Sequence, residues 1–363
     1  MGHYCNRRNF LTIFGSALLS LKKIHAFEPK ILERLERQEA VFASAYMDQN
    51  NHYGIALIDK DGAMVANYSL PSRGHGMAVD NASGWLVAFS RRPGNFALAT
   101  QLKKRQEPVL FRTPPNTHFY GHGVFSQNGK LLFATENRFE DGIGGIGVYD
   151  ATNKFSRVGE FSSFGIGPHE MVMMPNQTTL CVANGGIMTH PDFGRAKLNL
   201  DSMESSIVFI DSQHGELINK FDTSVNRLSL RHMAIGQKNT VWIGGQYQGA
   251  DLDDVPLIAC ASASDGLSFP NCGEPSILGL SNYIGSVACS DDGKRAAFSS
   301  PKGNTVLILD TTSKKIIHQN KINQVCGLSF DETTLIHSTY EGSFNDQNHK
   351  VFWDNHISPK LIV

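Results

Sequence analysis

Short apolar runs separated by polar, glycine-rich turns recur from about residue 40 to the C terminus. Typical examples are WLVAFSRRPG at 85–94, LLFATENR at 131–138 and TVLILDTTS at 305–313. Runs of this length that end in Gly, Asn, Asp or Ser turns are typical of β-strands. The pattern therefore predicts an all-β chain with almost no helix after residue 40.

One segment shape returns along the chain: a histidine, then a short apolar run, then a polar turn. It occurs in RGHGMAVDNASG, YGHGVFSQNG, GPHEMVMMPNQ and SLRHMAIGQKN, whose histidines are His75, His122, His169 and His232. Two segments, YIGSVACSDDG and QVCGLSFDET, have the same shape with Ser286 and Cys326 at the equivalent position. Successive positions are 47, 47, 63, 54 and 40 residues apart.

This spacing predicts a seven-bladed β-propeller, with six or eight blades as alternatives. Self-similarity at a period of roughly 40 to 50 residues, with several strands per unit, indicates a propeller or a related repeat. We count seven blades between residues 40 and 363. The first blade, at about 40–71, shows only three strands and lacks a clear innermost one, while KVFWDN at 350–355 is assigned to the last blade.

The repeated histidines predict a metal site on the propeller axis. The first strand of each blade lines the central channel, so residues in equivalent positions face one another. His75, His122, His169 and His232 are therefore candidate ligands of one divalent first-row metal ion, with Fe(II) preferred and copper or zinc as alternatives. Ser286 and Cys326 would complete the circumference. The other interpretation is that histidines merely line a narrow, wet channel.

Candidate groups around this site include carboxylates, because a ligating histidine needs its second ring nitrogen oriented by a carboxylate or carbonyl. Glu136, Glu160 and Glu170 are the candidates, and strand alternation predicts that Glu170 contacts either a histidine other than its neighbour or a loop. The insertion at 188–206 is too long for a hairpin turn. We expect it either to fold over one mouth of the channel or to pack on the rim, carrying the further candidates His190, Asp192 and Arg195.

Composition adds few constraints. The formal net charge is −1 and no basic stretch indicates nucleic-acid binding. Common motifs of serine hydrolases, zinc proteases and covalent haem attachment are absent from the sequence. Cysteines other than Cys5 number five, an odd count that excludes complete internal pairing, although Cys260 and Cys272 flank one loop and could bridge.

The N terminus predicts export. Residues 1–26 contain paired Arg7 and Arg8, then Phe10, Leu11 and an apolar run to Leu21. This arrangement resembles a twin-arginine signal, which carries folded proteins to the bacterial periplasm. The run is too short for a stable membrane anchor. We expect residues 27–39 to be a linker, residues 40–363 to form one propeller domain, and the mature protein to be monomeric.

The chain also resembles a known family. RGHG at 73–76, GHGVFSQNGKLL at 121–132, GIGPHEMVMMP at 165–175 and VANGGIMTHPDFGRAKLNLDSM at 182–203 are similar to domain-of-unknown-function family 1513. The resemblance implies a twin-arginine-exported propeller, often encoded near imelysin-type iron-uptake proteins, which are therefore candidate partners. The family has no settled activity.

Two functions from different classes follow. The first is a periplasmic metal-binding protein, with iron preferred, in an iron-acquisition system. The second is an Fe(II)-dependent oxygenase or oxidase, since carotenoid-cleaving oxygenases are propellers that hold Fe(II) with four axial histidines; this likeness is an analogy of fold alone. A metal-free interaction propeller is the remaining alternative. The sequence alone leaves catalytic turnover open.

Overall fold

Seven four-stranded antiparallel sheets are arranged in a ring, which confirms the seven-bladed propeller. The computed structural model describes residues 41–104, 106–194, 196–251, 253–273 and 279–362. The predicted signal segment and linker lie outside these residues. Helix within them is limited to short turns such as Pro191–Phe193 and Gln237–Asn239, as expected, and none is long and apolar enough to cross a membrane.

The strands of the first four blades are bounded as follows. Blade 1 contains β1 (Phe42–Asp48), β2 (Tyr53–Ile58) and β3 (Met64–Leu70). Blade 2 contains β4 (Gly74–Asp80), β5 (Trp85–Ser90), β6 (Phe96–Gln101) and β7 (Val109–Arg112). Blade 3 contains β8 (Thr117–Phe125), β9 (Leu131–Arg138), β10 (Ile143–Asp150) and β11 (Ser156–Ser162). Blade 4 contains β12 (Pro168–Met173), β13 (Thr179–Asn184), β14 (Ser206–Asp211) and β15 (Leu217–Asp222).

The remaining strands complete the ring. Blade 5 contains β16 (Leu228–Ile235), β17 (Val241–Tyr247), β18 (Ile258–Ser262) and β19 (Gly266–Ser268). Blade 6 contains β20 (Ser286–Cys289), β21 (Arg295–Ser300), β22 (Thr305–Asp310) and β23 (Lys315–Lys321). Blade 7 contains β24 (Val325–Asp331), β25 (Thr334–Thr339), β26 (Ser343–Phe344) and β27 (Gln347–Asn348). The last strand is β28 (Val351–Ile357).

The C-terminal strand closes the ring, and here the sequence assignment was wrong. We placed residues 350–355 in the last blade, but β28 pairs with β1 and is the innermost strand of blade 1. Tyr46 lies opposite Trp353 in this pairing, and Ser44 lies opposite Ile357. Joining the two ends of the domain in one sheet removes the exposed edges that an open ring would leave. The first blade therefore has its innermost strand after all.

Burial changes from the axis to the rim of each blade. The second strands lie between neighbouring sheets and are buried on both faces, as β13 is at all six positions. The outermost strands meet solvent, and β23 is exposed along nearly its whole length. The core consists of apolar clusters between adjacent blades, including one with Trp242 and Phe298. This packing holds the inner strands rigidly around the channel.

Candidate metal centre

Five consecutive inner strands each place one histidine on the axis. The strands β28, β4, β8, β12 and β16 supply His356, His75, His122, His169 and His232 in that order. The last four are the residues that the repeat predicted, and the structure brings them together. His356 was missed. It belongs to the strand that we had assigned to the wrong blade, so recognising the ring closure in VFWDNHI would have revealed it.

Each of these inner strands has a β-bulge or a similar irregularity at its histidine or directly beside it. In β12, Pro168 pairs with Asn184 and Glu170 pairs with Ala183, which leaves His169 without a partner residue. The other four strands show register shifts at the equivalent place. A bulge bends the strand locally and redirects a side chain. The bulges therefore turn the imidazoles toward the axis.

Two glycines allow the rings to approach closely. A Cβ at Gly76 would lie 2.6 Å from both the Gly121 carbonyl oxygen and His122 Nδ1. Gly121 itself has a φ of +102°, and a Cβ there would lie 2.7 Å from His75 Cδ2. Only glycine fits these conditions without moving an imidazole. The RGHG and YGHG motifs thus have a direct structural reason.

The five rings form one compact cluster. The centroid of His356 lies 4.6 Å from those of His75 and His122 and 4.9 Å from that of His232. The centroid of His169 lies 4.8 Å from that of His232. Ring nitrogens form two overlapping groups of three, His75 with His122 and His169, and His122 with His232 and His356. Within each group they lie within 4.8 Å of one another.

Two carboxyl groups hydrogen-bond to two of these rings, and one of them also approaches a third ring. His75 Nδ1 lies 2.7 Å from Asp354 Oδ1, and His232 Nδ1 lies 3.1 Å from Glu170 Oε2. The other oxygen of Glu170 is 3.8 Å from His122 Nδ1. Glu170 therefore contacts histidines on the two neighbouring strands and not its sequence neighbour His169, in agreement with strand alternation. The carboxylate of Asp354 accepts a hydrogen bond from Nδ1 of His75, which leaves Nε2 of that ring free to accept a metal.

Burial keeps the imidazoles neutral. It lowers the pKa of His75 to about 4, against the opposing effect of the hydrogen bond to Asp354, and it lowers the pKa of His232 to about 3. Burial likewise lowers the pKa of His122, His169 and His356 well below the ordinary value. Neutral imidazole is the form that binds metals. No proton has to be displaced from these rings near pH 7.

The two carboxyl groups differ in charge. Burial raises the pKa of Asp354, but the charges of Arg91 and Arg73 and the bond from His75 outweigh it, so the pKa lies well below the ordinary value. Burial raises the pKa of Glu170 to about 8, despite a hydrogen bond from the Met233 backbone. Asp354 is thus ionised at neutral pH, and Glu170 is mainly protonated in the metal-free protein.

Two fully buried ring nitrogens of the cluster have no hydrogen-bond partner among the described residues. Nε2 of His122 and Nε2 of His356 are both buried and unpaired. A buried polar atom without a partner costs roughly 1–3 kcal/mol. Both atoms belong to the same group of three nitrogens that lie within 4.8 Å of one another. An ion bound there would satisfy them.

The remaining predicted residues lie elsewhere. Glu136 on β9 is buried, but it bonds to Tyr149 and Arg157 and no axial histidine. Cys326 is on an inner strand, where its thiol lies 3.4 Å from Ser338 Oγ and burial raises its pKa to about 12.

The insertion divides between the two expected outcomes. His190 packs against Phe139 and lies 3.9 Å from Glu140, and Asp192 is exposed, so both are on the rim. Arg195 lies outside the described residues. Lys197, however, reaches one mouth of the channel. Cys260 and Cys272 are free thiols in the structure rather than the bridge that we considered.

The cluster separates two different mouths. One is a cavity of about 390 Å³ bordered mainly by apolar side chains such as Met77, Val124 and Ile235, with His122 and His356 at its inner end. The other is a cavity of about 340 Å³ that contacts His75, His169 and His232. Its remaining wall is rich in arginine, lysine and tyrosine. The axial cluster can therefore be approached from two chemically distinct sides.

A seven-bladed propeller with a buried histidine cluster on its axis is the class that this fold and site define. The chain belongs to the family described as Protein of unknown function (DUF1513), whose model matches residues 68–359. No curated protein matches the chain.

Two solved structures are similar in fold. One is Kuenenia stuttgartiensis hydrazine synthase, with a TM-score of 0.58 and 12% identity over 81% of this chain and 91% of that chain. The other is the Cps50 (Swd1) β-propeller domain of Myceliophteria thermophila, with a TM-score of 0.56 and 13% identity over 84% of this chain and 94% of that chain. At these identities the likeness shows the fold alone.

Proposed function

We propose that this protein is a metal-binding propeller that holds one divalent first-row metal ion in its axial histidine cluster. The observation that carries the proposal is the convergence of five neutral imidazoles, two of which present buried, unpaired Nε2 atoms. Hydrogen bonds between Asp354 and Nδ1 of His75, and between Glu170 and Nδ1 of His232, give those rings the orientation that metal ligands need.

The donor spacing is compatible with one ion after small ring rotations. Metal–nitrogen bonds of 2.0–2.1 Å place neighbouring donors of an octahedral ion about 2.9 Å apart and opposite donors about 4.1 Å apart. Nitrogens within each group lie at most 4.8 Å from one another. Five imidazoles would leave one octahedral position for another ligand. We propose Fe(II) as the ion, because the family resemblance implies iron handling, with copper and zinc as alternatives.

The cellular role that we propose is periplasmic iron acquisition. It rests on the twin-arginine-like segment at residues 1–26 and on the family's association with imelysin-type iron-uptake proteins. Neither point concerns the described residues. The site chemistry therefore stands separately from this role, and each can fail without the other.

The test of the metal site is elemental analysis of protein exported by its own host, followed by affinity measurements on single His→Ala variants at positions 75, 122, 169, 232 and 356. We expect one metal ion per chain and a loss of affinity of at least about 10-fold to 100-fold in each variant, since even changes around the ligands have that effect. His318→Ala is the matched control, because His318 is exposed on β23. It should bind like the wild type.

The contrary result is equally clear. If all five variants keep the stoichiometry and affinity of the wild type, the histidines only line the channel. A metal-free interaction propeller would then be the better assignment.

A second candidate, an Fe(II)-dependent oxygenase or oxidase, is favoured by one observation. His75, His169 and His232 border the cavity of about 340 Å³, so a small molecule in it would contact the cluster. Oxygen uptake by the iron-loaded protein, compared with the His232→Ala variant, distinguishes the two functions. Uptake that depends on His232 would favour the enzyme, and its absence would leave the binding role.

A further inference from the structure

The cavity beside His75, His169 and His232 has an unusual concentration of positive charge. Its border includes the side chains of Arg91, Arg92, Lys197, Arg231 and Lys302, against the single described carboxylate of Asp251. The whole chain has a formal net charge of −1, so this concentration is local. The opposite mouth, by contrast, is mainly apolar. The excess of positive charge is therefore a property of this mouth and does not follow from the overall composition.

Two of these cations, Arg231 and Lys302, have no carboxylate partner within the described part of the chain. Arg91 has an acidic partner, because its Nη1 lies 3.3 Å from Asp354 Oδ2. Arg231 donates from Nε to Ser229 Oγ at 3.0 Å, and none of its described neighbours within ion-pair distance is a carboxylate. Lys302 lies over the Tyr283 ring, with Nζ 5.1 Å from the ring centroid. Arg231 and Lys302 thus border the cavity without a carboxylate partner among the described residues.

The cations also act on one another. Arg92, Lys197, Arg231 and Lys302 all border the same cavity. The pKa of Lys197 is lowered first by partial burial and then by the charges of Arg231, Lys302 and Arg92. Like charges held together at a cavity repel one another unless an anion compensates them. The folded protein thus maintains an electrostatic cost that a ligand can relieve.

Neutral hydrogen-bonding groups complete the wall. Gln246, Gln248, Tyr283 and Asn355 border the same space. A cavity of about 340 Å³ is near the lower end of the range for small-molecule sites. Arginine and lysine together with such groups are the side chains that bind carboxylate and phosphate oxygens. A nucleic-acid strand would need a longer basic track than this single mouth.

We propose that this basic mouth binds a small polyvalent oxyanion, a molecule that carries several carboxylate or phosphate oxygens, directly beside the axial histidines. The charges are present whether or not the histidines hold a metal, so the proposal stands independently of the metal site. If both sites are occupied, the anion lies next to His75, His169 and His232.

The test is calorimetric titration of the purified protein at low ionic strength with citrate, inorganic phosphate and acetate, each in metal-stripped and metal-loaded protein. We expect saturable binding of citrate, of phosphate or of both, with acetate much weaker because it has one charge. The compound that binds more tightly, citrate or phosphate, shows whether the site prefers carboxylate or phosphate oxygens. Binding should weaken as salt rises, because the contacts are electrostatic.

Variants separate a specific site from general attraction. Arg231→Gln and Lys302→Gln should each weaken binding by about 10-fold to 100-fold, the effect of one charge-assisted hydrogen bond. Lys130→Gln, at an exposed turn far from the cavity, should leave binding unchanged. Lys302 is exposed, so the fold should tolerate its replacement. Its variant therefore tests the site even if the Arg231 variant does not fold.

The proposal would be overturned by the absence of saturable binding of citrate or phosphate in either form of the protein. It would also be overturned if the Arg231 and Lys302 variants bound as tightly as the wild type. Binding only in metal-loaded protein, unaffected by these variants, would also overturn it, because the anion would then be held by the ion and not by the basic wall. Binding to metal-stripped protein would support the anion site even if the metal proposal failed.

Discussion

Replacing Asp354 with asparagine tests how the axial cluster is oriented. Its side chain is only 3% exposed and has four hydrogen-bond donors around it. Oδ1 accepts from His75 Nδ1 at 2.7 Å and from the Asn355 backbone at 2.8 Å, while Oδ2 lies 2.6 Å from Arg73 Nε and 3.3 Å from Arg91 Nη1. Asparagine has nearly the same shape but no charge. The substitution therefore removes the electrostatic hold on His75 with little change in volume.

The expected magnitude follows from these contacts. Changing a group that orients a metal-bound histidine typically lowers metal affinity by about 10-fold to 100-fold, or about 1.4–2.7 kcal/mol. Hydrogen bonds to a charged group contribute roughly 1.5–3 kcal/mol each, and asparagine keeps one oxygen acceptor. We therefore expect the free energy of unfolding of the metal-free protein to fall by about 2–3 kcal/mol, which a domain of ordinary stability tolerates.

The assay is competition against a chromophoric chelator, with Zn(II) in air and Fe(II) under anaerobic conditions, alongside urea unfolding of the metal-free protein. Asp211→Asn is the matched control, because Asp211 accepts from His214 Nδ1 at 3.1 Å in an exposed turn. It removes a similar Asp–His contact far from the axis. It should leave metal affinity unchanged and alter stability by less than about 0.5 kcal/mol.

One result would refute the reasoning. If Asp354→Asn folds and binds both metals with wild-type affinity, then the hydrogen bond to His75 does not prepare that ring for a metal. His75 would then be either a ligand that needs no orientation or no ligand, and His75→Ala decides between these.

Three further predictions concern ring closure, the axial glycines and export. Trp353→Ala should lower the free energy of unfolding by about 3–5 kcal/mol in urea titrations, because this residue is 1% exposed in the closing strand. Gly121→Ala should lower it by about 1–3 kcal/mol and also weaken metal binding, because φ is +102° and the new Cβ would press on His75. Arg7→Lys combined with Arg8→Lys should leave the precursor in the cytoplasm, as cell fractionation would show.

Each of these has its own control and contrary result. Phe352→Ala changes an exposed neighbour of Trp353 and should be nearly neutral; equal losses in both would argue against the packed closure. An added Cβ at Gly159 would have no atom within 4 Å, so Gly159→Ala should leave stability unchanged. Equal losses of stability in the Gly159 and Gly121 variants would contradict the steric argument. Unchanged periplasmic yield of the lysine double variant would remove the twin-arginine assignment.

The sequence by itself determined the fold class. Alternating apolar and polar runs define strands locally, and a repeat of 40 to 60 residues allows few architectures, so the seven blades could be predicted without coordinates. The common register of His75, His122, His169 and His232 was visible for the same reason. Equivalent positions of repeated units need only be aligned.

Tertiary structure alone decided the rest of the site. His356 joins the cluster because the C-terminal strand pairs with β1, a contact between residues more than 300 positions apart that no local pattern encodes. Asp354 reaches His75 through the same closure, at a sequence separation of 279. The basic mouth likewise combines Arg91, Lys197, Arg231 and Lys302 from four blades. Closing the ring brings these distant residues together, and burial on the axis then shifts the pKa values of the histidines and of Glu170.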